Sequence, residues 1–295
     1  MKDKIKILNF PPRRVLSFDI EEWYHANYNG YDYKNLQHAE KRLDYLVPEI
    51  LELLHKSGSR ATFFVLGEIA KISPHIVKMI DRAGFPIGSH GMTHRLFHKL
   101  SNDEIESELK ESKARIENII GKRIKGFRAP CFAIDIARYD VLIDQLQNLF
   151  YDYDSSIVPV KYLGGGHRNY PAKPFKIKNI VEFPLGFWAK GGYGFVLSGG
   201  HFRFLPLRMI EAFIKKQIQK EIPVTLYLHP KDIDRNNPRL PLSFLYNIVH
   251  MFGVKKSKKK LEKMLSEYKF YAIEDYFQHK DEKLNIANKE KIKER

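Results

Sequence analysis

Apolar stretches of strand length alternate along the chain with longer stretches whose apolar residues recur at helical spacing. Residues 15–19 and 61–67 have the β-branched and aromatic content of buried strands. Between them, Pro48 lies near the start of a predicted helix with apolar residues on one face, and Gly58 ends it. The chain therefore begins with a strand, a helix and a second strand.

The same alternation continues beyond residue 70. Ser73 is a suitable N-cap, Pro74 suits the first helical position, and Gly84 ends this second helix. Residues 101–104, Ser-Asn-Asp-Glu, fit a capping box that opens a long amphipathic helix ending at Gly121. Repetition of strand and helix predicts an α/β protein with a parallel sheet or barrel.

Composition narrows the class of protein. A chain of 295 residues with 43% hydrophobic content can bury one large core, and we favour a single large domain. The only cysteine, Cys131, excludes an internal disulfide framework and fits a reducing compartment. The first ten residues lack the features of a signal peptide, and no stretch approaches ~20 apolar residues. We therefore expect a cytoplasmic protein.

The net charge of +15 raises the question of a nucleic-acid partner. The densest basic run, 255–260, and the tail from Lys280 lie outside every segment that suggests chemistry, and no nucleic-acid-binding motif is present. We therefore predict no nucleic-acid partner. The basic residues, including those of a predicted helix at 208–220, serve solubility or peripheral contact with an anionic membrane at its inner surface.

Two histidines and an upstream acidic cluster suggest a metal site. His90 and His94 follow an apolar segment that ends at Gly88, and on a helical turn residues four apart share one face. Residues 19–22, Asp-Ile-Glu-Glu, follow a predicted strand. Two histidines and one carboxylate, with open positions for water, are a recurring hydrolytic metal centre.

Four segments place polar residues just after apolar runs, where parallel strands end. They are 19–22, 90–94, 126–130 and 224–230. Functional groups of parallel α/β folds gather at these carboxyl ends. Arg128 alone would be a structural ion-pair partner and His229 alone a strand-end histidine, but together the segments supply a base, a metal site, an anchoring cation and an acid.

The same segments resemble, in order, the motifs of the polysaccharide deacetylases of the NodB-homology type, carbohydrate esterase family four. The motifs read Ser-Phe-Asp-Ile-Glu at 17–21, His-Gly-Met-Thr-His at 90–94, Gly-Phe-Arg-Ala-Pro at 126–130 and Leu-Tyr-Leu-His-Pro at 226–230. Residues 153–157 and 199–203 further resemble the branch found with exopolysaccharide genes. The first motif has the form D-x-D/E rather than two adjacent aspartates.

The resemblance implies a fold, a domain and a cofactor. The fold is a distorted (β/α) barrel, and the catalytic domain spans 13–278 between an N-terminal extension, 1–12, and a charged C-terminal tail, 279–295. The cofactor is a divalent metal, most often zinc in this family. Glu21, His90 and His94 would hold it, with Glu22 as the substitute for Glu21.

Amide hydrolysis also needs a base and an acid. Asp19 would be the base, ionised and oriented by Arg128, because a nearby opposite charge favours the carboxylate. His229 would be the acid that protonates the leaving nitrogen. An acidic neighbour would support it, with Asp154 and Glu182 as candidates.

Further residues are candidates for binding the substrate. The set is Trp23, His25, Pro130, Asp154, Glu182 and Trp188. Trp23 is also a candidate core residue, and the aromatic and glycine-rich segment 161–200, which contains Trp188, would either contact sugar rings or simply cover the barrel.

The predicted function is metal-dependent removal of an N-acetyl group from an amino sugar. A cytoplasmic nucleotide-linked or lipid-linked precursor of a surface glycan is the preferred substrate. The alternatives are a non-sugar amide such as a ureide, and a catalytically silent carbohydrate-binding protein on the same fold.

Overall fold

A mixed sheet of nine strands organises the described part of the chain. The computed structural model describes residues 5–28, 31–36, 38–161, 166–190 and 193–277, so the predicted tail 279–295 lies outside the described residues. The strands are β1 Ile5–Ile7, β2 Arg14–Ile20, β3 Thr62–Val65, β4 Ile87–Ser89, β5 Gly126–Phe127, β6 Tyr153–Asp154, β7 Phe175–Ile177, β8 Ile180–Glu182, β9 Phe187–Lys190, β10 Tyr193–Val196 and β11 Val224–Leu228.

The strand order in this sheet is β1-β7-β8-β6-β5-β4-β3-β2-β11, and β9 pairs with β10 as a separate hairpin. Strands from β8 to β11 along this order are parallel, whereas β1, β7 and β8 pair antiparallel. Residues 5–7 of the predicted N-terminal extension therefore form an edge strand of the main sheet. The predicted α/β class with a parallel sheet is confirmed.

Nine α-helices of six or more residues connect or flank these strands among the described residues. They are α1 Leu43–Ser57, α2 Gly67–Ile72, α3 Pro74–Arg82, α4 Asn102–Ile120, α5 Tyr139–Asn148, α6 Gly199–Phe204, α7 Leu207–Gln219, α8 Phe244–Met251 and α9 Val254–Glu267. The predicted capping box opens α4, with Ser101 and Glu104 exchanging side-chain and backbone hydrogen bonds. Helix α1 starts at Leu43, so Pro48 lies inside the helix rather than near its start.

The sheet curls until its inner face encloses a second core. Along β2, Leu16, Phe18 and Ile20 pack in the large cluster shared with the helices, whereas Val15 packs with Phe183 in a separate inner cluster. Four strands separate β2 from β8 in the sheet order. Side chains at the two positions meet only because the sheet bends around them, as in a barrel.

The helices of the described residues include none that is both long and apolar enough to cross a membrane.

Candidate active site

Strand β2 delivers the acidic cluster, and its alternation decides which carboxylates face the site. Successive side chains of a strand point to opposite faces, so Asp19 and Glu21 lie on the inner face and Glu22 on the outer face. Glu22 accepts hydrogen bonds from the backbone N–H groups of Arg42 and Leu43 at 2.9 and 3.3 Å. Glu22 therefore satisfies the start of helix α1, and Glu21 is the carboxylate beside the histidines.

The histidines lie on the loop that follows strand β4, not on a helical turn as their spacing suggested. Gly91 has a φ of 78°, a left-handed conformation that favours glycine, and it turns the loop back. One carboxylate oxygen of Glu108, on helix α4, accepts from the backbone N–H groups of Met92 and Thr93, both at 2.7 Å. Glu108 thus fixes the loop that carries both imidazoles.

Glu21, His90 and His94 form a cluster in which one possible ligand atom from each lies within 4.8 Å of the others. All three residues are buried. Glu21 Oε2 lies 2.7 Å from His94 Nε2, yet within the described residues this buried oxygen has no hydrogen-bond partner. Two possible ligand atoms that lie this close without the alignment of a hydrogen bond fit a cation bound between them. A carboxylate with two imidazoles suits a divalent metal.

Outer contacts orient both imidazoles. His90 Nδ1 lies 2.8 Å from the backbone carbonyl of Arg128, so Nδ1 donates and Nε2 faces the cluster with its lone pair. His94 Nδ1 lies 2.9 Å from the side-chain amide nitrogen of Asn27, which also donates to the His94 carbonyl at 3.0 Å. Asn27 therefore holds both the ring and the backbone of His94.

The charge states of two of these residues suit a cation. Burial alone would raise the pKa of Glu21, but His94, Lys231 and His229 outweigh it and hold that pKa well below its usual value. Burial lowers the pKa of His90 to about 4. The cluster therefore offers an ionised carboxylate and a neutral imidazole at neutral pH.

Arg128 anchors Asp19 inside the barrel. Its guanidinium is fully buried and donates to Asp19 Oδ1 at 2.7 Å and to Ser17 Oγ at 2.8 Å. Ser155 accepts two further hydrogen bonds from the same group, at 2.9 Å to its hydroxyl and 3.1 Å to its carbonyl. Hydrogen bonds to several elements hold the guanidinium in one position, so it orients the Asp19 carboxylate.

His229 lies at the end of β11 and is 20% exposed, so it reaches the solvent-open side of the site. Its Nε2 lies 3.6 Å from Glu21 Oε1, and its Nδ1 lies 3.2 Å from Asp232 Oδ2. Asp232 is buried and pairs through Oδ1 with Arg203 at 2.9 Å. The acidic neighbour of His229 is thus Asp232, and the expectation that Asp154 or Glu182 would serve is wrong.

Asp232 is confined from both sides. A Cβ atom at Gly199, the first residue of α6, would overlap the Asp232 carboxylate, so only glycine leaves room for it. Burial alone would raise the pKa of Asp232, but His229 and Arg203 lower it well below its usual value. The histidine therefore has an ionised carboxylate behind it.

Lys231 adds a cation that sequence reasoning missed. Its ammonium group donates to Glu21 Oε1 at 2.8 Å and to the His25 carbonyl at 3.4 Å. Lys231 lines the same cavity of about 350 Å³ as Asp19, Glu21 and His229. One oxygen of Glu21 therefore meets a lysine, while its other oxygen faces the histidines.

Asp154 and Glu182 form a buried carboxylate pair on adjacent strands, away from that cavity. The Tyr139 hydroxyl donates to Glu182 Oε2 at 3.0 Å, and the Ile157 N–H donates to Glu182 Oε1 at 2.9 Å. Burial raises the pKa of Asp154 to about 6, and burial together with Asp154 raises that of Glu182 well above its usual value. The pair therefore retains a proton to higher pH than either carboxyl does in the unfolded chain.

This retained proton makes a testable contribution to stability. Above the unfolded pKa values of about 4, this pair holds more protons in the folded protein than in the unfolded chain. Its contribution to the free energy of unfolding therefore falls as pH rises, by up to about 1.4 kcal/mol per pH unit for one proton. We expect Glu182→Gln to remove this contribution from the pH dependence. Urea unfolding of both proteins at several pH values measures it, with Glu106→Gln on the surface as the control, and equal slopes in all three would contradict the shared proton.

The remaining predicted substrate residues lie in different places. His25 lines the cavity, with Nε2 3.5 Å from Glu68, and burial lowers its pKa. Trp23 is 5% exposed and donates to the Glu40 carbonyl, in a separate aromatic cluster. Trp188 packs against Phe195 and Phe213.

Pro130 is buried in the loop after β5 and is absent from the residues that line the cavity. Trp23, Pro130, Asp154, Glu182 and Trp188 do not line this cavity, so substrate contact by these five residues stays a prediction. Aromatic residues are as typical of packed cores as of sugar-binding surfaces, and Trp23 and Trp188 lie in packed clusters.

Sequence signals for the missed residues differ in strength. Asp232 follows His229 by three residues with a proline between them, the spacing at which a side chain can bond back to the start of a helical turn. Arg203 belongs to the segment 199–203, which resembles a motif of the exopolysaccharide branch, but that resemblance gave Arg203 no role. Asn27 and Lys231 carry no pattern that distinguishes them from surface residues.

Comparison with known proteins adds two family matches. Residues 40–143 match the family described as polysaccharide deacetylase, and residues 155–278 match one described as a domain of unknown function (DUF3473). The first region contains His90, His94 and Arg128, and the second contains His229 and Lys231. The site described above is therefore built from both regions and from the strand that precedes them.

Curated relatives match a shorter stretch. A peptidoglycan-N-acetylglucosamine deacetylase of Bacillus cereus is 39% identical over 82 residues, which cover 28% of this chain and 30% of that protein. A chitooligosaccharide deacetylase of Azorhizobium caulinodans is 30% identical over 86 residues, 29% of this chain and 41% of that protein. The chain thus spans about a third of the length of the curated relatives it matches.

Structural comparison supports the fold over most of the chain. A crystal structure from Mycobacterium smegmatis, assigned to the polysaccharide deacetylases, superposes with a TM-score of 0.58 at 18% identity. The match covers 89% of this chain and 86% of that one. The fold is the distorted (β/α) barrel expected from the sequence, and residues 40–143 match the polysaccharide deacetylase family.

Proposed function

We propose that this protein is a metal-dependent deacetylase that hydrolyses the N-acetyl group of an amino sugar. The observation that carries the proposal is the arrangement at one cavity. A buried cluster of Glu21, His90 and His94 lies beside an anchored carboxylate, Asp19, and a histidine supported by an ionised aspartate, His229. The deacetylase relatives support the amino-sugar substrate.

The residues divide the work of amide hydrolysis. Asp19, oriented by Arg128, takes a proton from the attacking water. A divalent metal, for which zinc is our choice, would polarise the acetyl carbonyl and lower the pKa of that water when bound by Glu21, His90 and His94. His229 Nε2 donates a proton to the departing nitrogen, while Asp232 holds the ring at Nδ1.

The preferred substrate is the precursor of a surface glycan, carried by a nucleotide or by a lipid. A cytoplasmic location, at times peripheral to the inner membrane surface, is part of the same proposal. The proposed function includes no nucleic-acid partner, because the residues around the cavity suit proton transfer and cation binding rather than contacts along a phosphate backbone.

The direct test is incubation of the purified, zinc-loaded protein with N-acetylated nucleotide sugars, lipid-linked sugars and short chitooligosaccharides. Mass spectrometry should show the loss of one acetyl group from at least one of them. A ureide included in the panel tests the non-sugar alternative. Metal binding without turnover of any member would favour the catalytically silent alternative and contradict the proposal.

Comparing substrates with different leaving groups tests whether His229 is the proton donor. An amine must be protonated to depart, whereas 4-nitrophenolate leaves without a proton. We expect His229→Gln to lower the rate of deacetylation by about a hundred- to ten-thousandfold, and to change hydrolysis of 4-nitrophenyl acetate much less. His98→Gln, at an exposed histidine, is the matched control. Equal losses on both substrates would assign His229 a structural role.

A further inference from the structure

A groove outside the catalytic cavity exposes two stacked aromatic rings. Phe204, at the end of α6, is 55% exposed, and Phe252, after α8, is 45% exposed. Their ring centroids are 4.0 Å apart, and both line a groove of about 640 Å³. Contact with each other therefore leaves about half of each side chain in water.

Helix α8 extends this apolar surface. Phe244 is 78% exposed and Ile248 is 43% exposed, and residues four apart lie on one face of a helix. Met251, three residues further, lines the groove beside Phe252. We call Phe204, Phe244, Ile248, Met251 and Phe252 the apolar strip. A soluble monomer rarely exposes such contiguous apolar residues unless they bind something.

The charged residues that line the groove are all basic. Residues 235–261 contain seven lysines and arginines and no aspartate or glutamate. Four of the seven, Arg235, Arg239, Lys255 and Lys256, line the groove itself and are exposed. We call these four the basic rim. Within the described residues, none of them forms an ion pair, so their charges face outward.

Other lysines of the same run are already engaged. Lys258 pairs with Glu49, and Lys260 donates to the carbonyls of Phe202 and Leu205 at 2.6 and 2.8 Å. Burial lowers the pKa of Lys260. The basic rim therefore supplies the exposed charges that line this groove.

The strip borders the catalytic cavity. Arg203 lines both the groove and the cavity. On the other side, Tyr28 lines the cavity and its ring lies 5.2 Å from that of Tyr246 on α8. A partner that covers the strip would thus lie next to the opening through which a substrate reaches Glu21 and Asp19.

We propose that the apolar strip and the basic rim dock this protein onto an anionic lipid bilayer. Exposed phenylalanines enter the boundary between headgroups and acyl chains, and lysine or arginine beside them contacts the headgroup charges. An acidic protein surface would match the rim but would give no reason for the exposure of Phe244 and Ile248 on one face of a short helix. The orientation brings the cavity to the membrane surface.

The test is sedimentation with vesicles of phosphatidylcholine alone or mixed with phosphatidylglycerol, at low and high salt. We expect binding only to the mixed vesicles, weakened by salt because ions screen the charges. Glutamine at all four rim positions (R235Q/R239Q/K255Q/K256Q), and separately F204S/F252S, should each lower the bound fraction at least tenfold. The assay needs no catalysis, so its failure is distinct from failure of the deacetylase proposal.

Two control variants locate the effect. K78Q/K215Q/K216Q/K220Q removes the same charge from exposed lysines of α3, α7 and the residue after α7, and Phe150→Ser removes another exposed aromatic side chain. Both should bind like the unchanged protein. If the charge control lost as much vesicle binding as the rim variant, net charge alone would explain the interaction, and the proposed docking surface would be wrong. Absence of binding to mixed vesicles at low salt would overturn it as well, leaving an acidic protein as the occupant.

Discussion

Replacing His90 with alanine is expected to remove the bound divalent metal and to lower deacetylation by at least about a thousandfold. Two ligands remain in that variant, too few for a tetrahedral site with open positions, and the metal is worth several kcal/mol of transition-state stabilisation. His94→Ala should behave alike, because each imidazole faces the same cluster. Metal content measured by atomic spectroscopy after dialysis, together with turnover, checks both.

His75→Ala is the matched control for this experiment. His75 is an exposed histidine on α3 that pairs with Asp44 on the surface, so its loss should change neither metal content nor turnover. Full metal occupancy in a His90→Ala/His94→Ala double variant would show that the cation binds elsewhere. Circular dichroism separates loss of ligand from loss of fold.

Asp19→Asn is expected to keep the metal and to lose about a hundred- to ten-thousandfold in rate. An amide cannot accept the proton that a carboxylate accepts, yet its oxygen can still receive the hydrogen bond from Arg128. Asp19 Oδ2 lies 3.9 Å from His90 Nε2, so the residue borders the cluster without belonging to it. Parallel measurements of metal content and of turnover distinguish the two roles.

Asp103→Asn, on the exposed first turn of α4, controls for the substitution itself. Loss of metal from Asp19→Asn would make Asp19 a ligand and place the base at another residue. Unchanged turnover would remove Asp19 from the mechanism altogether.

Sequence patterns predicted the secondary structure correctly where a local rule fixes the backbone geometry. Residues 15–19 were predicted as a strand and lie within β2, and the capping box at Ser101 starts α4 where predicted. Strand ends brought Asp19, His90, Arg128 and His229 together, because the carboxyl ends of parallel strands share one edge.

Local rules failed where contacts span the chain. The four-residue spacing of His90 and His94 suggested a helix, but a carboxylate from α4 holds the segment as a loop. Asp154 and Glu182 were attractive partners for His229 by charge alone, yet their strands place them beneath Tyr139. A side chain's partner depends on the sheet order, which no single segment encodes.

The separation of the site residues along the chain bears on the order in which the pocket is assembled. Glu21, His90 and His94 all lie within the first third of the sequence, whereas His229 and Lys231 follow β11, which pairs with β2 some 210 positions earlier. Such non-local pairing is slow to form and comes late in synthesis. If the proposed roles hold, a nascent chain can therefore present Glu21, His90 and His94 long before His229 is in place, so metal capture would precede catalytic competence.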